Sequence, residues 1–151
     1  PNREKLNIYI GEMAGKVLPE AFTCFTLNLD NLSELTKRFG YTVGDGVLKD
    51  FAGLVQLMGD TEGMRGYNGV GRFVVFFEEC SSKKAAAMIR ILDNQVEEYN
   101  SLNPEYPIRY TAAWATTEET DTYEIRELLR LSQKKWKQME KEKKDKTEEE
   151  T

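Results

Sequence analysis

Histidine is absent from the 151 residues, which excludes His-based general-base catalysis, Ser-His triads and His-containing zinc sites. Cysteine is scarce. Cys24 and Cys80 are the only two and lack CxxC spacing. Cys24 also sits in an apolar, strand-like run, so both are expected to be reduced packing residues of a cytoplasmic domain. No apolar run approaches the ~20 residues a spanning helix needs, and the N-terminus carries no signal-like segment. A soluble domain without direct membrane insertion is therefore expected, although a parent protein could be membrane-anchored. With a net charge of −5, the chain is poorly suited to polyanions, so nucleic acid is not an expected partner.

What is present suits one packed domain. Seven Phe, seven Tyr and two Trp supply a core that, at this length, buries roughly 70% of the unfolded surface. The stretch that organises the chain runs from Arg65 to Phe77. A short semi-apolar segment ends at Tyr67-Asn68, Gly69-Val70-Gly71-Arg72 forms a turn, and Phe73 to Phe77 is an apolar strand pattern. Together they predict a β-hairpin whose turn needs glycine backbone angles.

In chain order, Leu6, Ile8, Ile10 and Met13 predict a first helix ending near Gly15, and its abrupt start suggests a domain excised from a longer protein. Ala21 to Leu29 is apolar on both faces, as a central strand covered on both sides would be, with Phe25, Leu27 and Leu29 opposite Phe22, Cys24 and Asn28. A short helix carries Leu32, Leu35 and Phe39 with Asp30 as expected N-cap, and a longer one carries Val47, Phe51, Leu54, Val55 and Met58 with Asp45 as cap. After the hairpin, Ser81 or Ser82 starts a helix with the stripe Ala85, Met88, Ile89, Leu92, Val96 and Tyr99. Ile108 to Ala115 alternates as a strand. A final helix is expected to start at Asp121, with Glu124 completing a capping box, and to bury Ile125, Leu128, Leu129, Ser132, Trp136 and Met139. From Glu140 the stripe vanishes, and the charged run 141–151 is expected as a solvated helical extension or a disordered spacer rather than a site. The fold class predicted from this order is α+β, a mainly antiparallel sheet flanked by helices.

That order, with Pro1-Asn2-Arg3, Asn28-Leu29-Asp30, Phe39-Gly40-Tyr41, Gly44-Asp45, Gly69-Val70-Gly71-Arg72-Phe73 and the Leu128-Leu129, Ser132, Trp136 helix, resembles the GGDEF domain family, the diguanylate cyclases of bacterial cyclic di-GMP signalling. The resemblance covers nearly the whole chain. It implies the nucleotidyl-cyclase-like fold with a ferredoxin-like βαββαβ core, a domain over 1–140 and a charged tail over 141–151.

The family's condensation of two GTP uses Mg²⁺, which needs oxygen ligands. The resemblance puts those carboxylates at Asn28, Gly71 and Arg72, so two acids are replaced by a weak ligand and by none, and a third by a cation. A guanidinium about 4 Å from a divalent ion is repelled by a few kcal/mol or more at an effective dielectric of about 20. No cofactor is therefore expected, with Mg²⁺ required only if the chain is a cyclase with unusual ligands.

The degenerate motif Gly69, Val70, Gly71, Arg72 and Phe73 offers no confident catalytic residue. The nucleotide-binding candidates implied by the resemblance are Asn28, Asp30, Thr36, Asp45, Arg72 and Lys141, with Asp45 also explained as a cap. Arg72 could itself pair with a phosphate. The family's product-inhibition RxxD falls at 60–63 and is missing, while Arg90 and Asp93 are read as a solvated i,i+3 pair. The expected function is an inactive regulatory, nucleotide-binding or interaction module, and the alternative is an active diguanylate cyclase. Expected partners are a guanine nucleotide, other domains of the parent signalling protein and a second copy in a homodimer.

Overall fold

The computed structural model describes residues 2–59 and 62–150; Pro1, Asp60, Thr61 and Thr151, and with them part of the expected opening motif, of the absent RxxD and of the charged tail, lie outside the described residues. A central strand is β1, Thr23–Leu29, paired on both edges, whose side chains are buried almost without interruption. Its two faces feed two cores. Phe25, Leu27 and Leu29 join Phe51, Val55, Phe73, Val75 and Leu92, whereas Phe22 and Cys24 join Leu6, Val74, Phe76, Ile125 and Leu128. The division of β1 side chains expected from their alternation is therefore observed.

The hairpin of β2 (Met64–Gly69) and β3 (Arg72–Phe77) and the strand β4 (Tyr110–Thr116) complete an antiparallel sheet in the order β2-β3-β1-β4. The first core is closed by α2 (Leu32–Phe39), α3 (Tyr41–Gln56) and α4 (Ser82–Leu102), and the second by α1 (Asn2–Met13) and α6 (Ile125–Glu150). A one-turn helix, α5 (Thr117–Thr120), links β4 to α6. This is the expected α+β architecture with helices on both faces of an antiparallel sheet. No helix among the described residues is long and apolar enough to cross a membrane.

Three helix starts differ from expectation, one because a contact from another strand takes the expected cap and two because the local backbone starts or stops the helix elsewhere. Asp30 does not cap α2: the cap position is Asn31, and the Asp30 carboxylate accepts from Asn28 Nδ2 at 2.9 Å and from Thr111 Oγ1 at 2.5 Å. Asp45 does not cap α3, which starts four residues earlier because Gly40, at φ +97°, reverses the chain directly into it. Asp121 closes α5 in a left-handed conformation, and the Glu124 carboxylate itself accepts the Glu127 amide at 2.8 Å. Ser81, the first of the two serine candidates, caps α4 through the Lys84 amide.

At the hairpin tip Gly69, Val70 and Gly71 all have positive φ, +87°, +54° and +84°. The Gly71 carbonyl accepts the Leu29 amide at 2.8 Å, and a Cβ on Gly71 would lie 3.1 Å from the Leu29 carbonyl oxygen, so glycine lets the turn approach β1. Val70 has no such excuse: it is β-branched and 89% exposed. Its left-handed conformation costs roughly 1–2 kcal/mol, against about 0.5–1 kcal/mol of extra unfolded-state entropy for a glycine. Val70→Gly is accordingly expected to stabilise the protein by roughly 0.5–1 kcal/mol in urea unfolding, and a loss of stability would contradict this account of the turn.

Candidate functional site

Strand register lays a polar row across one end of the sheet. Asn28 on β1 faces Arg72 on β3 and Thr111 on β4. By alternation these three project on the face covered by α6. That helix continues its buried Leu128, Ser132 and Trp136 by steps of four and three into Glu140, Lys143 and Thr147, so one stripe that starts apolar ends polar over the row. Ser132 fixes the crossing with a 2.6 Å hydrogen bond to Thr26, both buried.

Over the row, the Arg72 guanidinium stacks on the Trp136 ring with its carbon 4.0 Å from the ring centroid. Lys143 Nζ donates to the Tyr110 carbonyl and to Thr111 Oγ1, both at 2.9 Å. Glu140 pairs with Lys144 at 3.3 Å. Two adjoining clefts result, both bordered by Asn28 and Glu140. One of about 330 Å³ runs along the hairpin, past Asn68, Gly69, Val70 and Arg72 to Trp136. The other, about 440 Å³, lies between Asp30, Thr111 and the α6 residues Lys143, Lys144, Thr147 and Glu148. On the hairpin side Arg3 of α1 donates to the Asn68 carbonyl.

Asn28, Asp30 and Arg72 are thus brought together, as is the hairpin turn. Thr36, Asp45 and Lys141 are not among the residues lining either cleft. The Thr36 hydroxyl donates to the Leu32 carbonyl at 2.9 Å and packs against Gly44, where a Cβ would collide with it. Asp45 pairs with Lys49 at 3.0 Å on the surface of α3. With the capping explanation of Asp45 removed, that exposed, solvent-screened i,i+4 pair is a weak structural reason for the residue.

The charged run 141–151 continues α6, the helical extension among the two expected alternatives, and supplies four of the eight residues lining the larger cleft. The sequence reading placed Trp136 in the core but not at the site and did not single out Lys143 or Lys144, although the steps of four and three from Leu128 put Trp136 and Lys143 on one face. Met139, expected to be buried, is 38% exposed beside Trp114 in a separate groove.

The side chains bordering Asn28 leave few oxygen donors free for a cation. Among the described residues no three acidic, histidine or cysteine side chains cluster closely enough to hold a metal ion. The two carboxylates bordering Asn28 are engaged, Asp30 by Asn28 and Thr111 and Glu140 by Lys144. Arg72 adds positive charge at the position where a divalent cation would need negative charge. Elsewhere, burial pushes the Cys24 thiol up to about 12, with a hydrogen bond from Ser132 opposing, and also raises Cys80. Both thiols therefore stay protonated and are unsuited to nucleophilic chemistry.

A protein-family model described as diguanylate cyclase, GGDEF domain, matches residues 1–146. The fold is shared with the active GGEEF domain of a diguanylate cyclase from Vibrio cholerae, at 19% identity over 80% of this chain and 77% of that one, with a TM-score of 0.71. An EAL/GGDEF domain protein from M. capsulatus matches over 94% of each chain at 15% identity and a TM-score of 0.72. The GGDEF domain of DgcB from Caulobacter crescentus, solved with c-di-GMP, matches at 16% identity over 76% of this chain and 71% of that one, with a TM-score of 0.59. No curated protein sequence matches the chain.

Proposed function

The chain belongs to the GGDEF family, and from that premise we propose that it serves cyclic di-GMP signalling as a regulatory, nucleotide-binding module that does not itself condense GTP. The observation that carries this reading is the Arg72 side chain. It projects from the hairpin into the row that Asn28 and Thr111 share, and its charge is held there by the Trp136 ring. A cation so placed opposes binding of a second cation and favours anionic groups. Phosphoryl transfer, by contrast, depends on a metal to neutralise charge developing on the phosphates. Asn28 offers a neutral oxygen, and Gly71 is committed to its close approach to β1.

The guanine nucleotide and the other domains of a parent signalling protein are the partners this reading assigns. The competing reading, a cyclase with unusual ligands, draws on Asp45, whose presence is no longer explained by helix capping. Incubation of the protein with GTP and either Mg²⁺ or Mn²⁺ separates the two. No cyclic di-GMP is expected to form. Turnover that disappears in Asp45→Ala would establish the cyclase instead.

A further inference from the structure

Two buried N–H groups lack an acceptor among the described residues, Arg72 Nε and Trp136 Nε1. They belong to side chains that touch each other and border the same cleft. Trp136 is 5% exposed yet lines the cleft, and a buried donor left unpaired is costly enough that most native ones have partners. Arg72 makes neither an ion pair nor a hydrogen bond among the described residues. Its partner among the described residues is the ring beneath it, which stabilises the charge without occupying the guanidinium's in-plane donors. The carboxylate nearest in the cleft lining, Glu140, is paired with Lys144 instead.

We propose that Arg72 Nε and Trp136 Nε1 together seat one phosphate-type oxyanion directly, without a metal ion. The proposal rests on the reading that this hairpin holds no magnesium. With the guanidinium carbon 4.0 Å from the ring centroid, the two nitrogens lie within about 7 Å of each other. A tetrahedral anion accepting two hydrogen bonds of roughly 2.9 Å spans that separation. The indole ring thus has two tasks, stacking the cation with its face and donating with its edge. Asn28 and Asn68 supply neutral polar groups at the rim, so the seat accepts an anion without a competing carboxylate other than Glu140.

The test is a titration of the whole protein in EDTA with inorganic phosphate, followed by side-chain N–H resonances in proton–nitrogen spectra. The Trp136 indole and Arg72 Nε signals are expected to shift together and saturate. The Trp114 indole, which donates to Ser82 Oγ at 3.3 Å, stays where it is and serves as the internal reference. Arg72→Gln is expected to weaken phosphate about tenfold or more. Trp136→Phe, which keeps an aromatic ring and removes the donor, weakens it several-fold. GTP binding more tightly than phosphate identifies a nucleotide as the source of the oxyanion, and equal affinity identifies free phosphate.

The proposal falls if no saturable shift occurs at millimolar phosphate, if the shift requires Mg²⁺, or if acetate produces it equally well. Should either variant fail to fold, the titration of the unaltered protein decides alone. A missing phosphate response leaves the metal argument intact, whereas cyclic di-GMP formation would overturn the metal argument and this proposal with it.

Discussion

Phe51→Ala is expected to lower the free energy of unfolding by about 3–5 kcal/mol, which is a large share of the roughly 5–15 kcal/mol that a domain of this kind possesses. Phe51 is fully buried on α3. Its ring lies 5.5 Å from Phe73, edge-on at 77°, and 5.4 Å from Tyr110. It therefore spans from β3 to β4 across the central strand, and removing it leaves a cavity that β1 cannot move to fill, being fixed by pairing on both edges. Urea unfolding measures the loss. A value under about 1 kcal/mol would mean that α3 does not clamp the sheet through this ring.

The second large effect is electrostatic. The double variant Asn28→Asp with Arg72→Glu places two carboxylates opposite each other on β1 and β3, beside Asp30 and Glu140. Without divalent ions the repulsion lowers the melting temperature below that of the unaltered protein. Added Mg²⁺ is expected to restore it, because an ion bound only by the folded state at a hundred times its Kd contributes about 2.7 kcal/mol. For a chain of this length that is roughly 5–10 °C. The unaltered protein should move by less than about 1 °C. An equal magnesium response in both proteins would refute the claim that charge at Asn28 and Arg72 decides metal binding.

The parts of this fold that were legible in the sequence are those set by local periodicity. The unbroken apolar run of β1 announced a strand with helices on both faces, and Gly69-Val70-Gly71 announced the hairpin. What the sequence concealed depends on residues far apart in the chain. Asp30 looks like a helix cap until Thr111, on another strand, takes its carboxylate. Asp45 looks like a cap because nothing in the local pattern reveals that Gly40 starts the helix a turn early. Arg72 and Trp136 are 64 positions apart, and nothing in either motif points to the other, so only the packing of α6 over the sheet makes them a pair. The run from Glu140 onward lost its apolar stripe and therefore read as tether. Its polar residues face a cleft rather than a core, and hydrophobic periodicity cannot detect that.

Trp136, Glu140 and Lys143 occupy successive turns of one uninterrupted helix, so the roof of both clefts is a single stiff rod. Tilting its outer end would loosen the grip on arginine, the polar rim and the strand-edge anchor together. An anion seated beneath the rod and a load applied to its outer end would therefore be coupled, each altering the other by the same free energy.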